Sequence, residues 1–277
     1  MRTPPKIQKQ IVLKHDASRI IQTMIKQGTD AQRIQIAQAL KGSYVHLAQQ
    51  PYGKFVVTKL LRFCPTERRN IIRSFYGHVR KLILHKLSSN VLEDIYVIYA
   101  NAQEKAALVE EFYGPEFSLF KTDERRTLTT ILQENPSKKD SILKDLTENL
   151  ISVLHKGTQT HSIVHRALLE YFTHSPRERQ LADLVPLLAP CLSEIIHTKD
   201  GAKVGMRCFA ITAAKERKIL VKGMKQFIVK IAMDQYGCIV LSKALECVDD
   251  TVLVGKLWID VTFFRSGFQR RFSLAEL

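Results

Sequence analysis

Two histidines invite the first chemical reading. His161 and His165 lie four residues apart, a spacing that turns both side chains to one face of a helix and suits a zinc ion. A zinc peptidase needs a glutamate beside the first histidine to activate water, and Ser162 stands there instead. The chain has no G-x-x-x-x-G-K-[ST] phosphate loop, no G-x-G-x-x-G and no G-x-S-x-G elbow, and its acids are scattered. A metal-dependent nuclease gathers several acids around its ions. No catalytic residue, metal site or cofactor is therefore expected, and the pair reads as surface or interface histidines. Cys64, Cys191, Cys208, Cys238 and Cys247 form no C-x-x-C pair, so a reducing compartment is the natural reading.

Charge offers more. The 277 residues carry 42 Lys+Arg against 27 Asp+Glu, a formal net charge of +15. From Lys59 to Lys86 eight basic residues face the single acid Glu67, and from Lys199 to Lys230 nine face only Asp200 and Glu216. A solvated helix surface normally mixes signs, so these blocks point to a polyanionic partner, nucleic acid above all. The phosphate-contact candidates are Arg62, Arg68, Arg69, Arg73, Arg80 and Lys81, then Arg125 and Arg126, then Lys203 and Arg207. The most apolar stretch, 181–196, holds Asp183, Glu194, Pro186 and Pro190. It is too short and interrupted to span a bilayer. The N-terminal residues lack the apolar core of a secretory signal, so the expectation is a soluble intracellular protein with no membrane partner.

A composition of 45% apolar and 25% charged residues excludes disorder as the default, and 12 glycines with 9 prolines are too few for a collagen or a turn-dense β-sandwich. The elements that carry the charges follow a period. Tyr52-Gly53-Lys54-Phe55-Val56-Val57-Thr58-Lys59-Leu60-Leu61 and Tyr236-Gly237-Cys238-Ile239-Val240-Leu241-Ser242-Lys243-Ala244-Leu245 share one template: an opening dipeptide with Gly or Ser, an apolar pair, a polar residue and another apolar pair. Ser88 to Glu93, Asp200 to Met206 and Ala17 to Gln22 fit it, and weaker matches end at Thr129 and His165. Taking the polar position as a ruler gives Gln22, Thr58, Glu93, Thr129, His165, Met206 and Ser242, with differences of 36, 35, 36, 36, 41 and 36. At 100° per residue, Val56, Val57, Leu60 and Leu61 share one side of a helix while Lys54, Phe55 and Thr58 occupy the neighbouring stripe. Core and presentation faces separate. The fold class expected is all-α: a helical-repeat superhelix (α-solenoid) of about seven units of ~36 residues, each burying its apolar side against its neighbours.

Those segments resemble the pumilio-homology (Puf) repeat family, and the likeness is nearest to the Puf-A branch. It is carried by Phe75-Tyr76-Gly77-His78-Val79-Arg80-Lys81-Leu82, Glu111-Phe112-Tyr113-Gly114, Lys199-Asp200-Gly201-Ala202-Lys203-Val204, Lys215 to Lys222 and Cys247-Val248-Asp249-Asp250-Thr251. The resemblance covers Puf-like repeats over 12–254 and leaves a basic segment at 1–11 and a divergent tail at 255–277 outside it. It also implies a base-reading trio at i, i+1 and i+4 of each unit's second helix, two residues gripping a base edge and one stacking between bases. Ser18, Arg19 and Gln22 match an adenine-reading trio, and Ser89, Asn90 and Glu93 a guanine-reading one. Lys54, Phe55 and Thr58 keep an aromatic stacker but lose the long amide or acid. Arg125-Arg126-Thr129, His161-Ser162-His165, Ala202-Lys203-Met206 and Cys238-Ile239-Ser242 depart from the code.

Fewer than half the units can read a base, so binding through charge and shape is expected over sequence-specific recognition. Puf-A-like proteins imply an L-shaped array that holds RNA, ribosomal precursor RNA in particular, and sometimes DNA, with a nucleolar role in maturing the large ribosomal subunit. Nucleus and nucleolus, preribosomal proteins as neighbours and a part in translational regulation follow from the same resemblance. The alternative class is a protein-binding solenoid of the armadillo or HEAT kind, accepting acidic peptides or histones. Beyond Val254 the pattern stops, and Trp258, Phe263, Phe264, Phe268 and Phe272 follow in no repeat register. A truncated product or a splice form would read this way, and such a tail is expected to pack poorly on an uncapped apolar end.

Overall fold

The computed structural model describes residues 11–119, 125–248 and 250–255. The N-terminal basic segment and the aromatic tail, with the expectation attached to its packing, lie outside them apart from Ile11 and Gly255. The chain divides into two compact units, Met1–Ile163 and Val164–Leu277. Among the described residues every regular element is a helix. The fold is an all-α helical-repeat solenoid.

In the first unit the helix His15–Gln27 packs against Gly53–Phe63, which in turn meets Ser88–Asp94. The apolar pairs of the template are the reason. Val56, Val57, Leu60 and Leu61 are each 0% exposed, and full burial of such side chains contributes about 1.5–3 kcal/mol apiece. In the second unit Lys199–Ile211 packs in the same way against Gly237–Cys247, burying Val204 and Cys208 opposite Val240 and Ala244.

Local chemistry fixes where helices begin. Thr29 with Gln32 and Asn101 with Glu104 form capping boxes at Asp30–Leu40 and Ala102–Glu110. Pro65 opens the helix Pro65–Arg73, where its missing N–H costs nothing. The opening Gly or Ser of the repeat has a steric origin. A Cβ on Gly53 or Gly237 would lie 2.6 Å from the carbonyl oxygen of Leu47 or Ile231, and closer still to that of Ile195 on Gly201. Each carbonyl belongs to the residue six positions back. At the equivalent place Ser88 meets its carbonyl as a donor, its Oγ–H bonding Leu82 O at 3.0 Å with the side chain buried.

Candidate nucleic-acid interface

All seven ruler residues lie in helices. The trios around them are not equivalent. Ser18 is 0% exposed, and its hydroxyl donates to Tyr52 O at 3.0 Å while accepting from Gln22 Nε2 at 3.1 Å. Arg19 is exposed. A base edge reaches Ser18 only by displacing Tyr52 O or Gln22, so two of the three side chains are occupied with each other. Phe55 is 47% exposed, with Lys54 Nζ 4.9 Å from its ring centroid, an open π-face braced by a cation. Thr58 Oγ1 is turned back on Lys54 O at 3.1 Å.

In the third repeat Ser89 is buried, and both Ser89 Oγ and the Nδ2 of exposed Asn90 donate to Lys86 O at 3.4 Å. Glu93 is engaged much further along the chain. Its two carboxylate oxygens accept from the backbone N–H of Ser162 at 2.8 and 3.0 Å, and Ser162 is the first residue of the helix Ser162–His174. A carboxylate there satisfies an otherwise unpaired donor and complements the positive helix end.

The fourth trio corrects an expectation. The helix Leu128–Glu134 starts only after Thr127, its N-cap, so Arg125 and Arg126 precede the helix and do not share one face with Thr129. The threonine cap terminates the helix between the two arginines and the ruler residue.

The histidine pair is likewise committed. His161 Nδ1 sits 3.1 Å from Thr158 O, and burial pushes the ring's pKa below its usual value against an opposing pull from Glu93. His165 Nδ1 lies 2.7 Å from Thr198 Oγ1. Among the described residues no group of three or more His, Cys, Asp or Glu side chains could hold a metal ion.

The cations divide into those that hold the chain and those that face solvent. Arg68 belongs to the first kind. Its Nε–H donates to Leu61 O at 2.8 Å, its Nη2 approaches Arg62 O, and its guanidinium lies 5.2 Å from the Tyr99 ring centroid. Arg33 does the same for Ile25 O and Lys26 O, and Arg217 for Phe209 O. All three reach back seven or eight residues to the carbonyls that end the preceding helix. Arg69 pairs with buried Glu104 and Arg126 with buried Glu110, each at 3.6 Å. Arg73 is exposed. Arg80 and Lys81 line a groove that no trio residue enters.

Arg19, Arg62 and Arg125 are exposed and make no ion pair among the described residues. In the second unit Lys199, Lys203 and Arg207 recur every four residues along one face of their helix, all exposed. None of the three makes an ion pair among the described residues, while Asp200 pairs with Arg166, Asp250 with Lys218 and Glu246 with Lys243. Ala202 is buried and Met206 half-buried, so the code positions of this unit offer only Lys203 to a ligand. Ile239 is 48% exposed beside half-buried Cys238, and Ser242 Oγ bonds Cys238 O.

This arrangement can be set beside known proteins. The sequence profile of the Pumilio-family RNA binding repeat matches residues 17–40, 43–73 and 227–252. "Pumilio homology domain family member 6" of Schizosaccharomyces pombe is 38% identical over 251 residues, 90% of this chain. "Pumilio homolog 3" of Homo sapiens is 35% identical over 253 residues, 91% of this chain. A crystal structure of human Puf-A superposes with a TM-score of 0.85 at 34% identity, covering 92% of this chain and 50% of that one. This is a Pumilio-family repeat chain. A second crystal structure, of human Puf-A in complex with DNA, matches equally well. The Pumilio-family chain described here spans 39% of the length of either curated relative.

Sequence reasoning missed the arginine clips of this Pumilio-family chain. Their one signal is a shared position, an arginine three residues past the start of the helix that follows three of the ruler helices, at Arg33, Arg68 and Arg217.

Proposed function

We propose that this chain binds RNA through exposed, unpaired cations and that it reads little sequence. One observation carries the reading: Lys199, Lys203 and Arg207 run along one helix face, all exposed and none of them in an ion pair among the described residues. A row of this kind releases condensed counterions from a phosphate chain. Arg19, Arg62 and Arg125 supply similar charge in the first unit. The family profile, described as an RNA binding repeat, and the DNA-bound state of human Puf-A support a nucleic-acid partner. Low specificity follows from Ser18 and Glu93, whose polar atoms are occupied by Tyr52 O, Gln22 and Ser162 N.

The test is binding to a structured ribosomal-precursor RNA, to several unrelated RNAs and to an acidic polypeptide homopolymer at two salt concentrations. If about five phosphates are neutralised, log affinity falls against log salt with a slope of roughly −3.5, about a hundredfold loss between ~50 and ~200 mM. Equal, salt-sensitive binding to all RNAs supports the reading. A flat salt response, or preference for the homopolymer, overturns it in favour of the protein-binding solenoid. The finer assignment is a nucleolar protein acting on precursor RNA of the large ribosomal subunit beside preribosomal proteins, with translational regulation as a second role. Co-localisation with a nucleolar marker and crosslinking of the protein to precursor RNA in cells test it, and a cytoplasmic signal with only messenger crosslinks refutes it.

A further inference from the structure

A groove of about 500 Å³ opens in the first unit between Val79–Ile83 and Lys139–Lys156. Half-buried Leu84 and exposed Pro115 give it an accessible aliphatic wall over buried Ile83 and Val153, and half-buried Arg80 and exposed Lys81 line it too. No acidic residue lines it, and among the described residues neither cation makes an ion pair. The volume falls within the range of ligand sites, about 300–1,000 Å³.

Its chemistry differs from that of the cationic helix face. An RNA strand offers phosphates, hydroxylated sugars and flat bases but no branched aliphatic side chain, and its bases bind by stacking on exposed rings or planar guanidinium groups. The one aromatic residue in the lining, Phe112, is 0% exposed. A nucleotide here would leave the aliphatic wall wet. An aliphatic side chain flanked by carboxylates dries the wall and meets both cations at once.

We propose that this groove docks a protein segment carrying an aliphatic side chain between acidic residues. The segment inserts its apolar side chain against Leu84 and Pro115, and its carboxylates pair with Arg80 and Lys81. Ser152, exposed at the groove's edge with its hydroxyl bonded to Glu148 O, marks the place where added bulk closes the site. None of Lys199, Lys203 and Arg207 lines the groove, so peptide and RNA are expected to bind together.

The probe is a fluorescein-labelled eight-residue peptide with one leucine between two pairs of glutamates, followed by fluorescence anisotropy with the whole chain. Replacing that leucine by serine is expected to weaken binding about tenfold, the loss of one partly buried aliphatic side chain. Arg80→Ala with Lys81→Ala should weaken it about tenfold and flatten its salt dependence. Ser152→Trp should abolish it, with single-stranded RNA affinity unchanged within about twofold. Circular dichroism of each variant checks the fold, and the surface pair Arg80 and Lys81 supplies the answer should Ser152→Trp disturb the helix. The proposal is overturned if the serine peptide binds as well as the leucine peptide, if the Arg80 and Lys81 replacements leave affinity intact, or if RNA displaces the peptide. Loss of RNA binding by unmodified protein would overturn the RNA reading instead, without touching the peptide result.

Discussion

Arg68 and Arg62 stand six residues apart in one basic block, yet their replacement by alanine should have opposite consequences. Arg68 donates a 2.8 Å charge-assisted hydrogen bond to Leu61 O and lies over Tyr99. Such a bond contributes about 1.5–3 kcal/mol, and the ring contact about 0.5–1 kcal/mol at an exposed site. Arg68 is half-buried, so water recovers part of the carbonyl's bonding and a net loss of about 2 kcal/mol is expected for Arg68→Ala. With a urea dependence of about 2 kcal/mol per molar, the unfolding midpoint followed by far-ultraviolet circular dichroism should fall by about 1 M. RNA affinity of the folded variant should stay within about twofold of the parent, since the side chain faces the backbone rather than a phosphate. Arg62→Ala should leave the midpoint within about 0.5 kcal/mol, the usual range for a surface change, and should reduce the salt slope by about 0.7. An Arg68→Ala protein with unchanged midpoint, weaker RNA binding and a shallower salt slope would refute the clip and return Arg68 to the phosphate contacts.

Four further outcomes follow from the same structure. Lys203→Ala with Arg207→Ala should lower affinity for every RNA by a similar factor and reduce the salt slope by about 1.4, read from titrations at several salt concentrations. Glu93→Gln keeps an acceptor for Ser162 N–H but loses the charge at the helix end, so thermal unfolding should report a loss of about 0.3–1 kcal/mol with no change of base preference across an RNA panel. Ser88→Val should cost about 2 kcal/mol or more by placing methyl groups against Leu82 O where the hydroxyl now bonds, whereas Ser88→Gly, the residue used at Gly53, Gly201 and Gly237, should cost less in the same urea titration. For His161, burial holds the folded-state pKa below the usual 6.5. The unfolded chain therefore binds the proton more readily, and stability intact above about pH 6.5 should decline as pH falls from there through the folded-state pKa, a decline that His161→Gln should remove in urea titrations between pH 7.5 and 5.

The period and the helices were legible because burial leaves a local signature. Val56, Val57, Leu60 and Leu61 recur at helical spacing, and all four are in the core. The opening glycine was legible as a pattern although its cause, a carbonyl six residues back, is visible only in three dimensions. The binding face was harder to read for the same reason. Arg62 and Arg68 have one chemistry in sequence, and only the fold turns Arg68 onto Leu61 O. Glu93 looks like a base reader by position, but the group that satisfies it lies 69 residues away. Arg125 and Arg126 keep the right spacing to Thr129, yet Thr127 caps the helix between them and it. Identity and spacing disclose what a side chain can do, whereas the partner that claims it comes from the tertiary fold.

The clips formed by Arg33 and Arg68 each close within a single repeat, joining one helix to the end of the helix before it. A duplicated stretch of DNA encoding such a unit would carry its own fastener with it. Lengthening or shortening the array by whole units then calls for no compensating substitution elsewhere, while an insertion of a few codons between ruler helix and arginine would part the clasp at once.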